Sequence, residues 1–157
     1  VERYVMKVSK KARYGLRALV DLAVHIQECP VPLVEIAKRQ EMSLNYLEQV
    51  LGALRKAGIV KSMKGPKGGY SLDKEPKEIT VEEILAAVEG KFCIVEKKEE
   101  KELDALQRAI RKLVWDQIDE DVIALLQDMT LAEIADKASE SEKKLKTESG
   151  VDANREM

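Results

Sequence analysis

Long apolar runs are missing from this chain. None approaches the ~20 residues that a membrane-spanning helix needs, so no such helix is expected. Aromatic residues make up only 4% of it, and cysteine occurs twice, at Cys29 and Cys93. Two cysteines make no disulfide framework, which points to a reducing cytoplasm. The opening residues carry charge without an apolar segment, so no secretory leader is expected. Met6 is expected to open the fold, with Val1 to Val5 upstream of it and their origin left open. No catalytic constellation is visible, which places an enzyme last among the function classes. What the chain has in quantity is charge, 36%, and hydrophobic residues, 45%, over 157 positions. That suits a helix-rich soluble protein of one domain with an appended element.

The formal net charge of -2 conceals a division. Residues 1–79 carry 15 basic and 9 acidic side chains, net +6, and residues 80–157 carry 12 and 20, net −8. A basic half points to a polyanion, and an acidic half to some other task.

Periodicity and caps divide the chain into elements. A first helix is expected from Ser9, its N-cap, to Gln27, with Tyr14, Leu16, Leu19, Val20, Ala23 and Ile26 on its apolar face and Arg13, Arg17 and Asp21 off it. Pro30 and Pro32 end it. A short helix over Leu33–Arg39 buries Leu33, Ile36 and Ala37, and a tight turn follows. The third helix, Leu44–Ala57, is capped by Ser43, stapled by Met42 and Leu47, and stopped by Gly58. Leu44, Leu47, Leu51 and Leu54 would face inward, leaving Asn45, Glu48, Gln49, Gly52, Arg55 and Lys56 outside. Strands over Ile59–Met63 and Tyr70–Leu72 flank a Lys/Gly/Pro loop. Thr80 and Glu83 form a capping box for a helix ending near Val88. A long helix over Glu99–Asp128 would carry an apolar stripe from Leu103 to Met129, about 45 Å at the α-helical rise. One small domain cannot cover such a stripe, which implies a partner helix. A short helix over Leu131–Ala138, capped by Thr130, would precede a polar tail.

The expected fold class is thus mainly α: a winged helix-turn-helix domain with a small β-hairpin wing, plus a long dimerisation helix. Its divisions are a winged domain at 6–90, a connector at 91–98, the dimerisation and C-terminal helices at 99–138, and a disordered tail at 139–157. The second helix of a helix-turn-helix enters the DNA major groove with its N-terminal residues on base edges. Asn45, Glu48 and Gln49 stand there; Asn and Gln match adenine edges, and Glu accepts from the cytosine amino group. Ser43 and Tyr46 are candidates for phosphate. The same face would also serve as plain solvated surface. The loop after it adds weight: Lys64 and Lys67 bring charge, Gly65 lets backbone approach phosphate, and Pro66 is a rigid apolar tip.

Five segments carry a resemblance: Lys10–Leu19 (KKARYGLRAL), Pro30–Gln40 (PVPLVEIAKRQ), Ser43–Ser62, Lys64–Leu72 (KGPKGGYSL) and Met129–Ile134 (MTLAEI). Together they resemble the IscR/NsrR/CymR family of bacterial winged-helix repressors over most of the chain. The resemblance implies a homodimer with crossing long helices and an inverted-repeat operator on double-stranded DNA. Glu48 and Gln49 would read bases, while Asn45, Tyr46, Lys64, Pro66 and Lys67 would touch backbone or minor groove. Cluster-binding members carry three cysteines between the wing and the long helix. The corresponding stretch, Ile94 to Leu106, has none, and Cys93 lies out of register. No iron–sulfur cluster or other cofactor is therefore expected, which is nearest the cluster-free cysteine-metabolism repressor branch.

Cys93 lies in the connector, where oxidation would shift the wings if it is not simply a small packed hydrophobe. Cys29 and His25 are four apart and would share a helix face, too few ligands for a metal site. Two functions are carried forward. One is a dimeric, sequence-specific repressor, with thiol sensing through Cys93 or Cys29 as a variant of it. The other is an interaction module that binds a metabolic enzyme, such as one of sulfur metabolism.

Overall fold

The computed structural model describes residues 7–153, with side chains described through Gly150. Met6 as the opening residue, and the tail beyond Ala153, lie outside the described residues. Seven α-helices, α1 (Lys10–Val24), α2 (Leu33–Gln40), α3 (Leu44–Lys56), α4 (Val81–Glu89), α5 (Ala105–Ile110), α6 (Asp116–Gln127) and α7 (Leu131–Ala153), accompany one antiparallel hairpin of β1 (Val60–Met63) and β2 (Gly69–Leu72).

Ser9 caps α1 as expected, its Oγ accepting from the Ala12 N–H at 3.0 Å. The helix ends at Val24, and Ile26–Glu28 forms a 3-10 turn instead of continuing to Gln27. The packed stripe of α1 also differs from the expected one. Ala12, Gly15 and Ala18 are buried with Leu19 and Leu22, whereas Tyr14, Leu16 and Val20 are half-buried. Small residues let α4 come close: a Cβ on Gly15 would stand 3.3 Å from Val88 Cγ1. Asp21, expected off the apolar face, is buried as well, because α2 brings it a partner.

α2 and α3 make the helix-turn-helix, joined through Glu41 in the left-handed conformation at φ 53°. Met42 and Leu47 are both buried, as the staple requires. Leu47, Val50, Leu51 and Leu54 form the inner face of α3. Leu44, expected among them, is 46% exposed, because the first turn projects past the neighbouring helices. At the other end Gly58 adopts φ +75°, and the Ile59 N–H returns to Leu54 O at 3.0 Å, closing the helix as expected. The Thr80 side chain accepts from the Glu83 N–H, but Glu83 spends its carboxylate on Lys74, so the box is only half made.

The long helix begins later than expected. Glu99–Glu102 closes a separate 3-10 turn with its own capping box, and Leu103 is extended. Asp104 then caps α5, accepting from the Gln107 N–H at 2.8 Å while Gln107 returns a bond at 3.1 Å. A π-helical turn over Arg111–Trp115 joins α5 to α6. The apolar stripe survives: Leu106, Ile110, Leu113, Val114 and Leu125 are exposed.

The last helix corrects two expectations. Leu131 is fully buried in the core of the winged half and Ala135 nearly so, packing against α1. This helix belongs to that core rather than to a unit with the long helix. It also continues to Ala153, where a short helix and a disordered tail were expected after Ala138. The extension has little apolar content, and its Glu and Lys residues favour helix on local propensity. Ser141 and Thr147 hydroxyls donate back to carbonyls four residues earlier. Backbone bonds Val81 N–H to Met129 O and Leu131 N–H to Ile79 O, each 2.9 Å, lace the starts of α4 and α7 together. Among the described residues no helix is long and apolar enough to cross a membrane.

Candidate nucleic-acid interface

The N-terminal turn of α3 is built to project. Ser43 Oγ accepts from the Tyr46 N–H at 3.2 Å, which fixes the entry angle and leaves its hydroxyl proton free to donate. Asn45, Glu48 and Gln49 are exposed on one side of this helix, as expected, and Leu44 stands exposed beside them. An aliphatic side chain there is suited to a thymine methyl.

Tyr46 is half-buried and meets Tyr14 of α1 edge to face, with ring centroids 5.6 Å apart at 89°. Lys10 Nζ lies 5.2 Å from both ring centroids, and the Arg17 guanidinium 5.0 Å from that of Tyr14. Arg17 also donates to Gln40 O at 2.6 Å, tying off the end of α2. Lys10 and Arg17 thus join the basic surface beside α3, although sequence reasoning gave them no site role. The signal was present: Lys10, Tyr14 and Arg17 follow a four-then-three spacing that puts them on one helix face. Behind this surface, buried Asp21 accepts from Arg39 Nε at 2.9 Å, Arg39 Nη2 at 2.7 Å and Gln40 Nε2 at 2.8 Å. The carboxylate raises the Arg39 pKa further, and the pair clamps α2 onto α1.

The wing rises from the other end of α3, about 20 Å along its axis at the α-helical rise. Arg55 Nη1 donates to Ser62 Oγ at 3.3 Å, joining helix to strand. Met63 pairs with Gly69, and the loop between them exposes Lys64, Gly65, Pro66 and Lys67. Three glycines are required here, among them Gly68, where a Cβ would stand 2.1 Å from Met63 O. Gly65 sits at φ +105°, and a Cβ on Gly69 would stand 2.2 Å from Val31 O. That close approach exists because Val31 and Tyr70 exchange backbone bonds at 2.9 and 2.8 Å. The wing is thereby fastened to the segment that leads into α2, so the exposed loop and the helix-turn-helix share one base.

A family model described as Rrf2, iron-dependent transcriptional regulator, matches residues 8–137. The chain belongs to the Rrf2 family. It is 38% identical over 129 residues to the HTH-type transcriptional regulator IscR of Vibrio atlanticus (strain LGP32), covering 82% of this chain and 75% of that one. The IscR of Serratia proteamaculans (strain 568) is also 38% identical, with 82% and 79% covered. Among solved structures, CymR (YrzC), the global cysteine regulator of B. subtilis, superposes with TM-score 0.70 at 39% identity, covering 85% of this chain and 98% of that one. The IscR of T. potens gives 0.69 at 39%, with 87% and 90% covered. This Rrf2 chain is a DNA-binding transcriptional regulator with a winged-helix fold, and its family is non-enzymatic.

The Rrf2 description raises the question of iron. Cys93 is an exposed lone thiol, and Cys29 lies in the segment between α1 and α2. Among the described residues no three His, Cys, Asp or Glu side chains are grouped to hold a metal. The donor set does not fit a thiolate-ligated cluster, which takes four ligands, mostly thiolates. Nor do His25 and Cys29 share a face, since the helix tightens between them. Cys29 Sγ lies 3.6 Å from the His25 carbonyl, while the ring Nδ1 turns to Asp21 O at 2.8 Å. Burial pushes the Cys29 thiol pKa up, with Glu28 adding to it against an opposing bond from Ser71.

Proposed function

We propose that this Rrf2 regulator is a dimeric repressor acting in the cytoplasm on an inverted-repeat operator, without an iron–sulfur cluster. α3 enters the major groove, where Glu48 and Gln49 read base edges. Ser43, Asn45 and Tyr46 hold phosphate, and Lys64, Gly65, Pro66 and Lys67 follow the adjacent backbone and minor groove. The observation that carries this reading is the pairing of one exposed polar face on α3 with one exposed basic loop, both fastened to the same core. The exposed stripe from Leu106 to Leu125 supports pairing of two long helices, which would set the spacing of two half-sites. Any thiol role falls to exposed Cys93 rather than to Cys29.

The test is selection of bound duplex from a random pool, followed by titration at several salt concentrations. A palindromic consensus bound far more tightly than its scrambled version is the expected result. Equal binding of both would sink the reading and favour an interaction module for a partner enzyme. An absorbance band near the ~400 nm region after anaerobic purification would contradict the cluster-free part.

A further inference from the structure

Between the connector and the long helix lies a cavity of about 260 Å³ that the DNA-binding reading does not use. Its apolar side is formed by Leu103, Ile110 and Trp115. Asp119 lines it and is only 4% exposed. One carboxylate oxygen of Asp119 accepts from the Ile94 N–H at 2.8 Å. The other, Oδ2, is buried and has no hydrogen-bond partner among the described residues. Lys97 Nζ stands off at 3.5 Å from Oδ2 and 3.8 Å from Asp116 Oδ1, too long for a charge-assisted bond. A buried acceptor left open in this way calls for a donor. The wall itself is unusual. Arg111 and Trp115 bound the π-helical turn, a local geometry that recurs at functional sites.

We propose that this cavity binds a free α-amino acid with an apolar side chain, acting as an effector. Three observations select that class. The open Asp119 Oδ2, with Asp116 beside it, takes an ammonium group. The charged residues of the lining are balanced, Lys97, Lys98 and Arg111 against Glu96, Asp116 and Asp119, which favours a ligand of no net charge that carries both signs. The volume lies below the roughly 300 Å³ lower end of drug-sized pockets, which suits a molecule of amino-acid size. The ligand ammonium replaces Lys97 at Asp119, Lys97 turns to the ligand carboxylate, and the side chain packs on Trp115. The effector role rests on the DNA-binding function. It follows from position: Asp119 fastens the connector, between the winged half and the long helix, to α6 through the Ile94 N–H.

Trp115 is the only tryptophan in the chain, so intrinsic fluorescence reports the cavity directly, with no DNA present. Full-length protein is titrated with L-leucine, L-methionine and L-phenylalanine. Isoamylamine and isovalerate serve as the amine-only and acid-only controls. A saturable change with at least one amino acid is expected, weakened about tenfold or more by Asp119→Asn. Lys97→Met, at an exposed position, should weaken amino-acid binding but leave isoamylamine binding equal or tighter, a split that loss of folding would not produce. No saturable change with any of the three up to about 10 mM would overturn the site. So would binding that Asp119→Asn leaves intact, or a Lys97→Met effect of the same sign on both ligands. In a second arm, affinity for the selected duplex should shift several-fold with the bound amino acid. Binding without that shift would overturn the effector role while leaving the DNA-binding reading untouched.

Discussion

The winged half and the long helix solve the same problem in opposite ways. In the winged half, α1 to α4, the hairpin and the start of α7 bury Leu19, Leu22, Ile36, Leu47, Leu51 and Leu131 completely, and its exposed apolar side chains, such as Val34, Leu44 and Met63, are scattered over different elements. Along α5, the π-turn and α6, Leu106 and Leu113 remain 68% and 75% exposed. Exposed apolar side chains in a row at helical spacing are unusual on a finished monomer surface. The first region is closed on itself and offers polar groups outward, while the second offers its apolar groups outward. Recognition of DNA needs a rigid presenter, and association needs an uncovered face; in the proposed reading the two fall on separate parts of the chain.

Five substitutions and one labelling experiment would break or sharpen that contrast, from the largest expected effect to the smallest. Asp21→Ala removes the acceptor of three bonds and leaves Arg39 without its counter-charge. It should lower stability by about 3 kcal/mol in chemical denaturation, whereas a change near zero would mean that the clamp is not what closes the winged half. Leu113→Glu should act in the reverse manner, leaving the winged half folded while shifting sedimentation to the monomer and weakening binding to a palindrome by about a hundredfold. If the variant sediments as the wild type does, the exposed stripe is not the association face. Glu48→Ala should cost about 1–3 kcal/mol of discrimination at one base position, read by repeating the selection from random duplexes. Lys64→Ala and Lys67→Ala should each weaken all sequences alike and reduce the salt slope by about one unit, and a loss confined to one sequence would transfer base reading to the wing. Finally, the raised pKa of Cys29 lowers its thiolate fraction at any given pH, so a thiol reagent near pH 8 should label Cys93 about tenfold faster. Equal rates would show Cys29 more open than its burial implies.

The same contrast explains what could be read from the chain alone. The helix-turn-helix and the wing were legible because their signals are local. Ser43 caps within three residues, Met42 and Leu47 staple across five, and Gly58 stops the helix it follows. The exposure of Asn45, Glu48 and Gln49 on α3 followed from that register. Leu44 was misplaced because periodicity alone cannot say where the covering neighbours end. Asp21 was misplaced because its partner Arg39 comes from another helix, 18 residues on. Lys10 and Arg17 went unassigned for the same reason, since Tyr46 and the Gln40 carbonyl that they meet belong to different helices. In the second half, the late helix start at Ala105 was hidden in an unbroken run of charge. A π-turn has no periodic signature of its own. The open Asp119 lies 25 residues from the backbone N–H it binds.

The lacing of Thr80 to Thr130 has a consequence for the history of such a chain. The segment from Val81 to Met129, α4 through α6, is thus a loop whose two ends are closed at its base by two backbone hydrogen bonds. Lengthening or rewriting a loop whose ends are already pinned costs little conformational entropy. The core that meets DNA is thus insulated from changes in the segment that meets other things. Cysteines can be lost from that loop, or a cavity gained in it, while the reading head stays as it was.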